Sequence, residues 1–459
     1  MQFVALEKFL KRSVDGRRWV YPQFVTGTLH KRRTSLAWVL IGIMVLLPLV
    51  RIHGLPAILF DIPNRRFVLF GSVFWPHDVW LMIFLVAGAA FTLFFVTALW
   101  GRAWCGYACP QTVFLHNVFL RLERWVEGDR GRRIELDESA WTLPKLGRKL
   151  LKHGLFVAFS SFVAHVFLAY FIDVRELAYE ITHPSWEYKT PILTSLAFTG
   201  LFYFNFAFLR EQFCNYLCPY ARFQSALLDQ DSLIIAYDAR RGEPRGKLRD
   251  PDPKGDCVVC NKCVVVCPQG IDIRAGLQLE CIHCGLCADA CDTVMERLER
   301  PRGLIRYASE SELAGAVRRL VRPRTVAYAL LCLALFGALS YELHARNLIE
   351  STLIRPVGAT FQITADGHVA NRFRLSLVNK DHVDHHLVIQ AVRPDNVSVI
   401  ARVNPVPVPG GTVQAADIFV VAATDTVPVP IEFELSVTSQ ELDEPHSIRG
   451  KLLGPSVAP

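Results

Sequence analysis

The chain has 459 residues, of which 51% are hydrophobic and 20% are charged, and its formal net charge at pH 7 is +7. This length allows two or three domains, and the apolar share lies above the usual balance of globular proteins. The basic residues lie beside long apolar runs, which is typical of membrane topology signals and argues against a nucleic-acid-binding surface.

Apolar runs give the first structural prediction. Five stretches approach the ~20 residues that a helix needs to cross a bilayer core. They are residues 36–52, 79–99, 154–172, 192–209 and 326–341. We therefore predict five membrane-spanning helices. The first and last stretches are short, so the alternative for one of them is a buried or interfacial helix.

Basic residues are distributed unevenly among the connections between these stretches. They are concentrated in the N-terminal tail, in the second connection and just before the fifth stretch. Loops rich in Lys and Arg stay in the cytoplasm. We also find no short apolar core with a cleavage site that would mark a signal peptide. The expected topology in a bacterial inner membrane has the N-terminus and the cysteine-rich segment in the cytoplasm and residues after about 345 in the periplasm.

The first four spans contain a two-fold repeat. Residues 104–110 read WCGYACP and residues 213–219 read FCNYLCP, so each copy has a CxxxCP motif. Two spans separate the copies, which predicts a parallel repeat with both motifs on one membrane face. Each proline can occupy the first turn of a following helix. After Pro110, the spacing of Phe114, Val118, Leu122 and Trp125 predicts an interfacial helix.

Eight of the thirteen cysteines lie between residues 257 and 291 in two sets with the same spacing. In two-cluster ferredoxins the fourth ligand is exchanged between such sets. We therefore assign one [4Fe–4S] cluster to Cys257, Cys260, Cys263 and Cys291. The second cluster is assigned to Cys281, Cys284, Cys287 and Cys267. The alternative is a pair of zinc knuckles, for which the spacing differs.

The four CxxxCP cysteines form a second candidate site, made of Cys105, Cys109, Cys214 and Cys218. Two thiols four residues apart share a face of a helix, and the repeat could bring both pairs together. Thiolates are soft ligands that select Cu(I), so Cu(II) meeting them is easier to reduce. The alternative is that these cysteines are small apolar residues that pack helix ends.

The remaining part of the chain changes character. Phe373, Leu375 and Leu377 alternate with polar residues, as do Phe433, Leu435 and Val437, which predicts an antiparallel β-sandwich. His165 within the third span is more simply a neutral histidine bonded to a backbone carbonyl than a functional group. His382, His385 and His386 could bind copper but are better explained as solvated residues. Cys332 is expected to be a packing or lipid-facing residue.

Several long motifs resemble those of the cytochrome c oxidase accessory proteins of the CcoG/FixG family. They are WGRAWCGYACPQTVF at 100–114, REQFCNYLCPYARFQSALLDQDSLI at 210–234, RGEPRG at 241–246 and GIDIRAGLQLECIHCGLCADACDTVM at 270–295. The resemblance implies a membrane polyferredoxin with a C-terminal immunoglobulin-like domain. It also implies a role in maturing the cbb3-type oxidase by reducing Cu(II) to Cu(I), with the eight cluster cysteines and the four CxxxCP cysteines in those roles.

The expected architecture is a helical bundle with an inserted α+β ferredoxin-like domain and an all-β sandwich. The expected boundaries are a tail at 1–34, four spans at 35–210, the dicluster domain at 211–325, a fifth span at 326–345 and the sandwich at 346–459. The expected partners are membrane lipid, copper, the oxidase or its copper-delivery factors and an electron donor that the sequence does not identify, and a homodimer stays open. A NapH-like quinol-linked conduit and a non-enzymatic assembly scaffold are the alternative functions.

Overall fold

We describe a computed structural model in which the chain forms two compact units. One unit contains Met1–Pro48 and Ile83–Leu339, and the other contains Leu49–Met82 and Ser340–Pro459. The structure describes residues 12–14, 17–183, 189–248, 255–422, 430–439 and 446–454. Part of the predicted 1–34 tail and the last residues of the predicted 346–459 domain therefore lie outside the described residues. The domain boundaries given above stay predictions.

The helices include long apolar segments and short connecting ones. In chain order they are α1 (Thr28–Leu46), α2 (Val79–Trp100), α3 (Pro110–Phe114), α4 (Leu120–Glu127), α5 (Arg130–Glu138), α6 (Leu143–Leu168), α7 (Val174–Thr182), α8 (Lys189–Phe204), α9 (Pro219–Leu227), α10 (Ala239–Gly242), α11 (Lys262–Val265), α12 (Leu286–Arg297), α13 (Glu310–Leu313) and α14 (Pro323–His344). Five are long and apolar enough to cross a membrane, namely α1, α2, α6, α8 with its extension to Leu209, and α14. The predicted number of spans is confirmed, whereas the membrane side of each end stays a prediction.

Two of these helices begin earlier than the apolar runs indicate. Helix α1 starts at Thr28 rather than near residue 36, and α6 starts at Leu143 rather than near 154. The added turns contain basic residues that the structure buries, including Arg33 and Lys152. The Lys152 Nζ lies 2.8 Å from the Glu127 carboxylate. A search for apolar runs misses such turns because they contain charged residues, although the fold buries them.

Four π-helical turns interrupt the α-helices of the first unit in the described part of the chain. They are Trp104–Ala108, Leu115–Phe119, Asn205–Leu209 and Phe213–Leu217. Pro110 and Pro219 begin the helices that follow the two CxxxCP motifs, as predicted. Along the predicted apolar stripe after Pro110, Phe114 and Val118 are buried within the protein and Trp125 is 74% exposed, so the interfacial role of this helix stays a prediction.

Among the described residues, the first unit contains two strand pairs, and the second unit contains two packed sheets and two smaller sheets. In chain order they are β1 (Arg12–Val14), β2 (Arg17–Trp19), β3 (Arg51–Ile52), β4 (Leu55–Pro56), β5 (Ile58–Asp61), β6 (Arg66–Leu69), β7 (Ser72–Phe74), β8 (Ile234–Tyr237), β9 (Ile305–Ala308), β10 (Ile349–Ile354), β11 (Gln362–Ile363), β12 (Val369–Asn379), β13 (His385–Arg393), β14 (Val397–Ala401), β15 (Val406–Val408), β16 (Val413–Ala422), β17 (Ile431–Ser439) and β18 (His446–Leu452). In the first unit, β8 pairs with β9 and brings together the two ends of the cysteine-rich segment.

The second unit is an all-antiparallel sandwich. One sheet has the order β10-β12-β16-β14, with β11 beside β12, and the other has the order β15-β13-β17-β18. The alternating residues Phe373, Leu375 and Leu377 face the shared core, as do residues of β17 such as Leu435, so the predicted β-sandwich is confirmed. The connection between the first two spans adds the small sheet β5-β6-β7, which the sequence analysis does not predict.

A buried carboxylate binds two cations within the second unit. Asp78 is 4% exposed. Its carboxylate oxygens lie 2.6 Å from the Arg346 Nη2 and 2.7 Å from the Lys380 Nζ. Removing one charge from such a buried set leaves the others uncompensated, which makes Asp78 a structural anchor of this unit.

We expect Asp78→Asn to lower the free energy of unfolding of the full-length protein by about 3–5 kcal/mol, because the buried Arg346 loses its ion-pair partner and Lys380 keeps only its pair with Glu350. Calorimetric thermal unfolding measures this as a lower midpoint. The matched control is Asp417→Asn, whose carboxylate pairs with Arg372 on the exposed face of the sheet and should change the midpoint little. Equal effects of the two changes would contradict the assigned role of Asp78.

Candidate metal centre

The first predicted set of cluster ligands lines one cavity. Cys257, Cys260, Cys263 and Cys291 all border it. Cys263 lies on α11 and Cys291 lies on α12, and these two helices pack together. The loop before α11 turns tightly, with Val259 at φ 54°. The exchanged ligand Cys291 therefore comes close to the first set through the packing of two short helices.

The second predicted set lines a neighbouring cavity. Cys267, Cys281, Cys284 and Cys287 border this cavity, and Cys263 lies at its edge as well. The fold thus gathers each exchanged set of four as the spacing predicts. Which thiols bind iron stays a prediction that these positions support.

The buried thiols of both sets suit a bound metal group whose positive charge compensates the thiolates. Burial raises the pKa of Cys263, Cys267, Cys281 and Cys291 to about 12 each, because a thiolate is poorly solvated there. A buried thiolate is stable only when a metal compensates its charge. A [4Fe–4S] cube takes one thiolate at each iron corner, and each set of four thiols supplies that number.

The CxxxCP motifs have a different backbone from the one expected. Cys105 lies in a π-helical turn, and the Cys109 N–H donates to the Trp104 carbonyl oxygen at 2.8 Å. The second motif repeats this geometry, with the Cys218 N–H donating to the Phe213 carbonyl oxygen at 2.9 Å. The second cysteine of each motif is extended and precedes the next helix. The expectation that both thiols share one α-helical face is therefore wrong.

The fold nevertheless brings the four CxxxCP thiols into mutual electrostatic range. Burial raises the pKa of both Cys105 and Cys214 to about 12, and neighbouring thiols add to the effect. Burial also raises the pKa of Cys109, although the backbone N–H groups of Thr112 and Gln111 oppose the shift. The four thiols are a cluster of soft donors that lies just beyond the ends of two spans.

The first CxxxCP motif packs directly on the dicluster segment through a glycine. A Cβ atom at Gly106 would lie 2.6 Å from the Ile282 carbonyl oxygen and 3.0 Å from that of His283. Ile282 and His283 separate two of the predicted cluster ligands, Cys281 and Cys284. The backbones of the two thiol sites are therefore in contact.

Arg102 joins the same segments through its backbone and its side chain. Its N–H donates to the His283 Nδ1 at 3.0 Å. Its guanidinium donates to the Ala221 carbonyl oxygen at 2.6 Å and to that of Leu279. Burial lowers the pKa of His283 to about 3, with the Arg102 charge adding to the effect, so the imidazole is neutral and accepts this hydrogen bond.

The second motif also contacts the dicluster segment. The Asn215 side chain donates from its Nδ2 to the Gln269 Oε1 at 3.2 Å, two residues after Cys267. The Cys105 thiol donates to the Gln224 Oε1 at 3.2 Å, which links the first motif to α9. The sequence analysis misses Arg102, Gln224 and His283. Only the position of His283 between two predicted ligands could have indicated it.

The isolated candidates have ordinary structural roles. The His165 Nδ1 donates to the Ser161 carbonyl oxygen at 2.7 Å, so the simpler prediction for this residue is confirmed. The Cys332 Sγ packs 3.8 Å from the Thr92 Oγ1. His382 and His386 are exposed, as expected, whereas His385 is 4% exposed, so the expectation that it is solvated is wrong. Both His382 and His385 lie beside the Asp381 carboxylate. None of these residues joins the thiol sites within the described residues.

Comparison with known proteins adds three family models. A "4Fe-4S dicluster domain" matches residues 209–310, a "4Fe-4S binding domain" matches residues 80–133, and the "IG-like fold at C-terminal of FixG" matches residues 339–453. The "4Fe-4S binding domain" match thus includes Cys105 and Cys109.

Full-length relatives are also similar to this chain. "Protein RdxA" of Cereibacter sphaeroides is 40% identical over 386 residues, which are 80% of each chain. "Nitrogen fixation protein FixG" of Rhizobium meliloti is 37% identical over 413 residues, or 80% of this chain and 77% of the relative. "Protein RdxB" of Cereibacter sphaeroides is 34% identical over 431 residues, or 89% and 90%.

We expect Gly106→Ala to destabilise the protein by about 1–3 kcal/mol, because the new methyl group overlaps a backbone oxygen that has little room to move. Thermal unfolding and the iron content after purification measure the effect, and both should fall. Gly147→Ala is the matched control, since a Cβ there meets nothing within 4 Å. A stable, iron-replete Gly106→Ala protein would show that the two segments do not pack as described.

Proposed function

Because this chain belongs to the FixG/RdxA family of membrane iron–sulfur electron-transport proteins, we propose that it passes single electrons from the dicluster domain to Cu(II) at the four CxxxCP thiols. The product would be Cu(I) for the assembly of a cbb3-type cytochrome oxidase. The protein would then act as an oxidoreductase whose substrate is a metal ion. The dicluster domain would face the cytoplasm and the sandwich the periplasm, as the distribution of basic residues indicates.

The packing of Gly106 on Ile282 and His283 is the observation that carries this proposal. Through this packing, the motif that contains Cys105 and Cys109 is in backbone contact with the loop between Cys281 and Cys284. Arg102 supports the same arrangement, because it is 3% exposed and bonded to both sides of the contact. A short protein path between donor and acceptor is what electron transfer requires.

The eight cysteines of the dicluster segment would hold two [4Fe–4S] clusters, in the two sets of four described above. Held there, such clusters supply single electrons at potentials set by burial, charge and hydrogen bonds to sulfur. The cavity walls are largely apolar and include Ile235, Ile282 and Met295. Exclusion of water from these walls would protect the clusters and help to set their potentials.

The CxxxCP thiols suit copper as a passing substrate. Cu(II) takes up one electron and becomes Cu(I), the state that soft sulfur donors favour, so binding by thiolates assists the reduction. The thiols must lose their protons when copper binds, and the raised pKa of Cys105 and Cys214 opposes tight retention. This opposition supports transfer of copper over storage.

A third iron–sulfur cluster at the CxxxCP thiols is the second candidate function for this site. The match of a "4Fe-4S binding domain" to residues 80–133 favours it, because Cys105 and Cys109 are the cysteines within that range. Thiols that are near one another without surrounding a single ion also suit a cube. In that case the site would carry electrons and copper would not be bound there.

Iron counting distinguishes the cluster assignments. We expect anaerobically purified protein to contain about eight irons and eight sulfides per chain, and Cys267→Ser to lose up to about half of them. Cys332→Ser is the matched control and should retain all of them, since Cys332 packs away from both cavities. Unchanged iron in the Cys267→Ser protein would exclude Cys267 as a ligand. About twelve irons, falling to about eight when the four CxxxCP cysteines are changed to alanine, would favour the third cluster.

Copper reduction is tested by mixing anaerobic, reduced protein with Cu(II) and following reoxidation by absorbance. We expect the variant with alanine at positions 105, 109, 214 and 218 to react roughly tenfold more slowly or worse, because the copper ligands are gone. The Cys332→Ala protein should react like the parent. If the fourfold variant keeps its iron and reduces Cu(II) at the parental rate, the copper site lies elsewhere.

A further inference from the structure

A cavity of about 70 Å³ lies in the first unit, beside the start of α1 and the helical segment from Leu115 to Glu127. Its lining is strongly basic. Five arginines line it, namely Arg33, Arg121, Arg124, Arg130 and Arg133. Asp129 is the single acidic residue in the lining that the structure describes. This cavity has no part in the proposed electron transfer.

Two of the arginines already have carboxylate partners. The Arg124 Nε lies 2.6 Å from the Asp129 Oδ1, and the Arg133 Nη1 lies 3.1 Å from the Glu123 Oε2. The acidic residue in the lining is therefore committed to Arg124. It therefore does not compensate Arg33 or Arg121.

Three arginines remain, of which Arg130 donates from its Nε to the Tyr21 carbonyl oxygen at 2.9 Å. Arg33 is 4% exposed, and its Nε donates to the Gly106 carbonyl oxygen at 2.7 Å. The Arg33 Nη2 is buried and has no hydrogen-bond partner among the described residues. The Arg121 Nη2 donates to the Thr34 hydroxyl at 3.1 Å. No described carboxylate forms an ion pair with either guanidinium. A buried guanidinium with a free N–H is costly unless an anion binds it.

We propose that this cavity binds a phosphate group, and that its source is the headgroup of an anionic phospholipid. Guanidinium groups bind phosphate oxygens through paired hydrogen bonds, and Arg33 and Arg121 are the groups that remain to do so. Together they supply two positive charges against the single charge of a phosphodiester.

The position of the cavity favours a lipid over a soluble phosphate compound. Arg33 and Thr34 lie in the first turns of α1, which is a candidate membrane span. Basic pockets at this depth are typical sites for anionic headgroups. Phe24, Leu120 and Leu286 add an apolar wall that suits the glycerol and upper acyl groups of a lipid.

A bound lipid would also steady the thiol site. Arg33, which lines the cavity, also donates from its Nε to the Gly106 carbonyl oxygen, in the middle of the first CxxxCP motif. A phosphate on Arg33 would fix this side chain in its bonded position. Lipid binding does not depend on whether electrons reach copper, so it can be tested separately.

The test is thermal unfolding of the full-length protein in detergent, with added phosphatidylglycerol, phosphatidylcholine or inorganic phosphate. We expect phosphatidylglycerol to raise the unfolding midpoint by ~2 °C or more, and phosphatidylcholine to raise it much less. Arg121→Gln should remove most of this rise. Arg33→Gln should do so as well, but it also loses the bond to Gly106, so Arg121→Gln is the main variant. Arg148→Gln is the matched control, because Arg148 is exposed and does not line the cavity.

Each outcome decides between the sources. A rise with phosphatidylglycerol that Arg121→Gln abolishes and Arg148→Gln keeps supports the lipid site. If inorganic phosphate alone raises the unfolding midpoint and Arg121→Gln abolishes that rise, the cavity binds phosphate from a soluble compound and the lipid is excluded as its source. Equal rises with both lipids, or a rise that Arg121→Gln leaves intact, would overturn the proposal.

Discussion

The contact of Gly106 with the segment between two predicted cluster ligands constrains the arrangement of both thiol sites. The Ile282 and His283 carbonyl oxygens lie so close to the Gly106 Cα that any side chain would displace them. Three hydrogen bonds stabilise the same contact. Arg33 donates to the Gly106 carbonyl oxygen, and the Arg102 N–H donates to the His283 side chain. The Tyr307 hydroxyl donates to the His283 carbonyl oxygen at 2.6 Å. The dicluster segment is thus bonded to the ends of the membrane helices and is not simply tethered to them.

A buried ionic cluster stabilises the same end of the bundle. Glu123 is 3% exposed and lies 3.1 Å from Arg133 and 3.4 Å from Arg210. Burial acts to raise the pKa of Glu123, but the surrounding cations, Arg210 foremost, outweigh it and lower the value to about 2. The carboxylate therefore stays ionised, and Lys152 shares it with the two arginines, its Nζ 3.6 Å from the Glu123 Oε1. Such a cluster favours one arrangement of the helices that follow the two motifs.

Local patterns predict a large part of this molecule. Apolar runs identify the five spans, and cysteine spacing predicts the two sets of four thiols, because both signals depend on neighbours in the sequence. The alternation in β12 and β17 likewise predicts the sandwich core. By contrast, Arg102 and His283 meet across 181 positions of the chain, and no local pattern reports such a pairing. The sheet β5-β6-β7 escapes prediction because its strands have only three or four residues each.

The π-helical turns explain why Trp125 does not pack on the same face as Phe114. In an α-helix each residue advances by about 100°, so the apolar stripe from Phe114 should continue to Trp125. The turn Leu115–Phe119 closes over one more residue than an α-turn, and every later side chain is rotated by about that angle. Glu123 and Glu127 consequently become buried, where they meet Lys149 and Lys152 of α6.

The same insertion occurs within both CxxxCP motifs, where it separates two cysteines that an α-helix would place on one face. The second cysteine then precedes a helix, and the backbone N–H groups at that end can reach its sulfur, as they do at Cys109. An extra residue in each motif therefore places the second cysteine at the start of a helix, where at Cys109 the backbone N–H groups oppose the rise in pKa that burial causes.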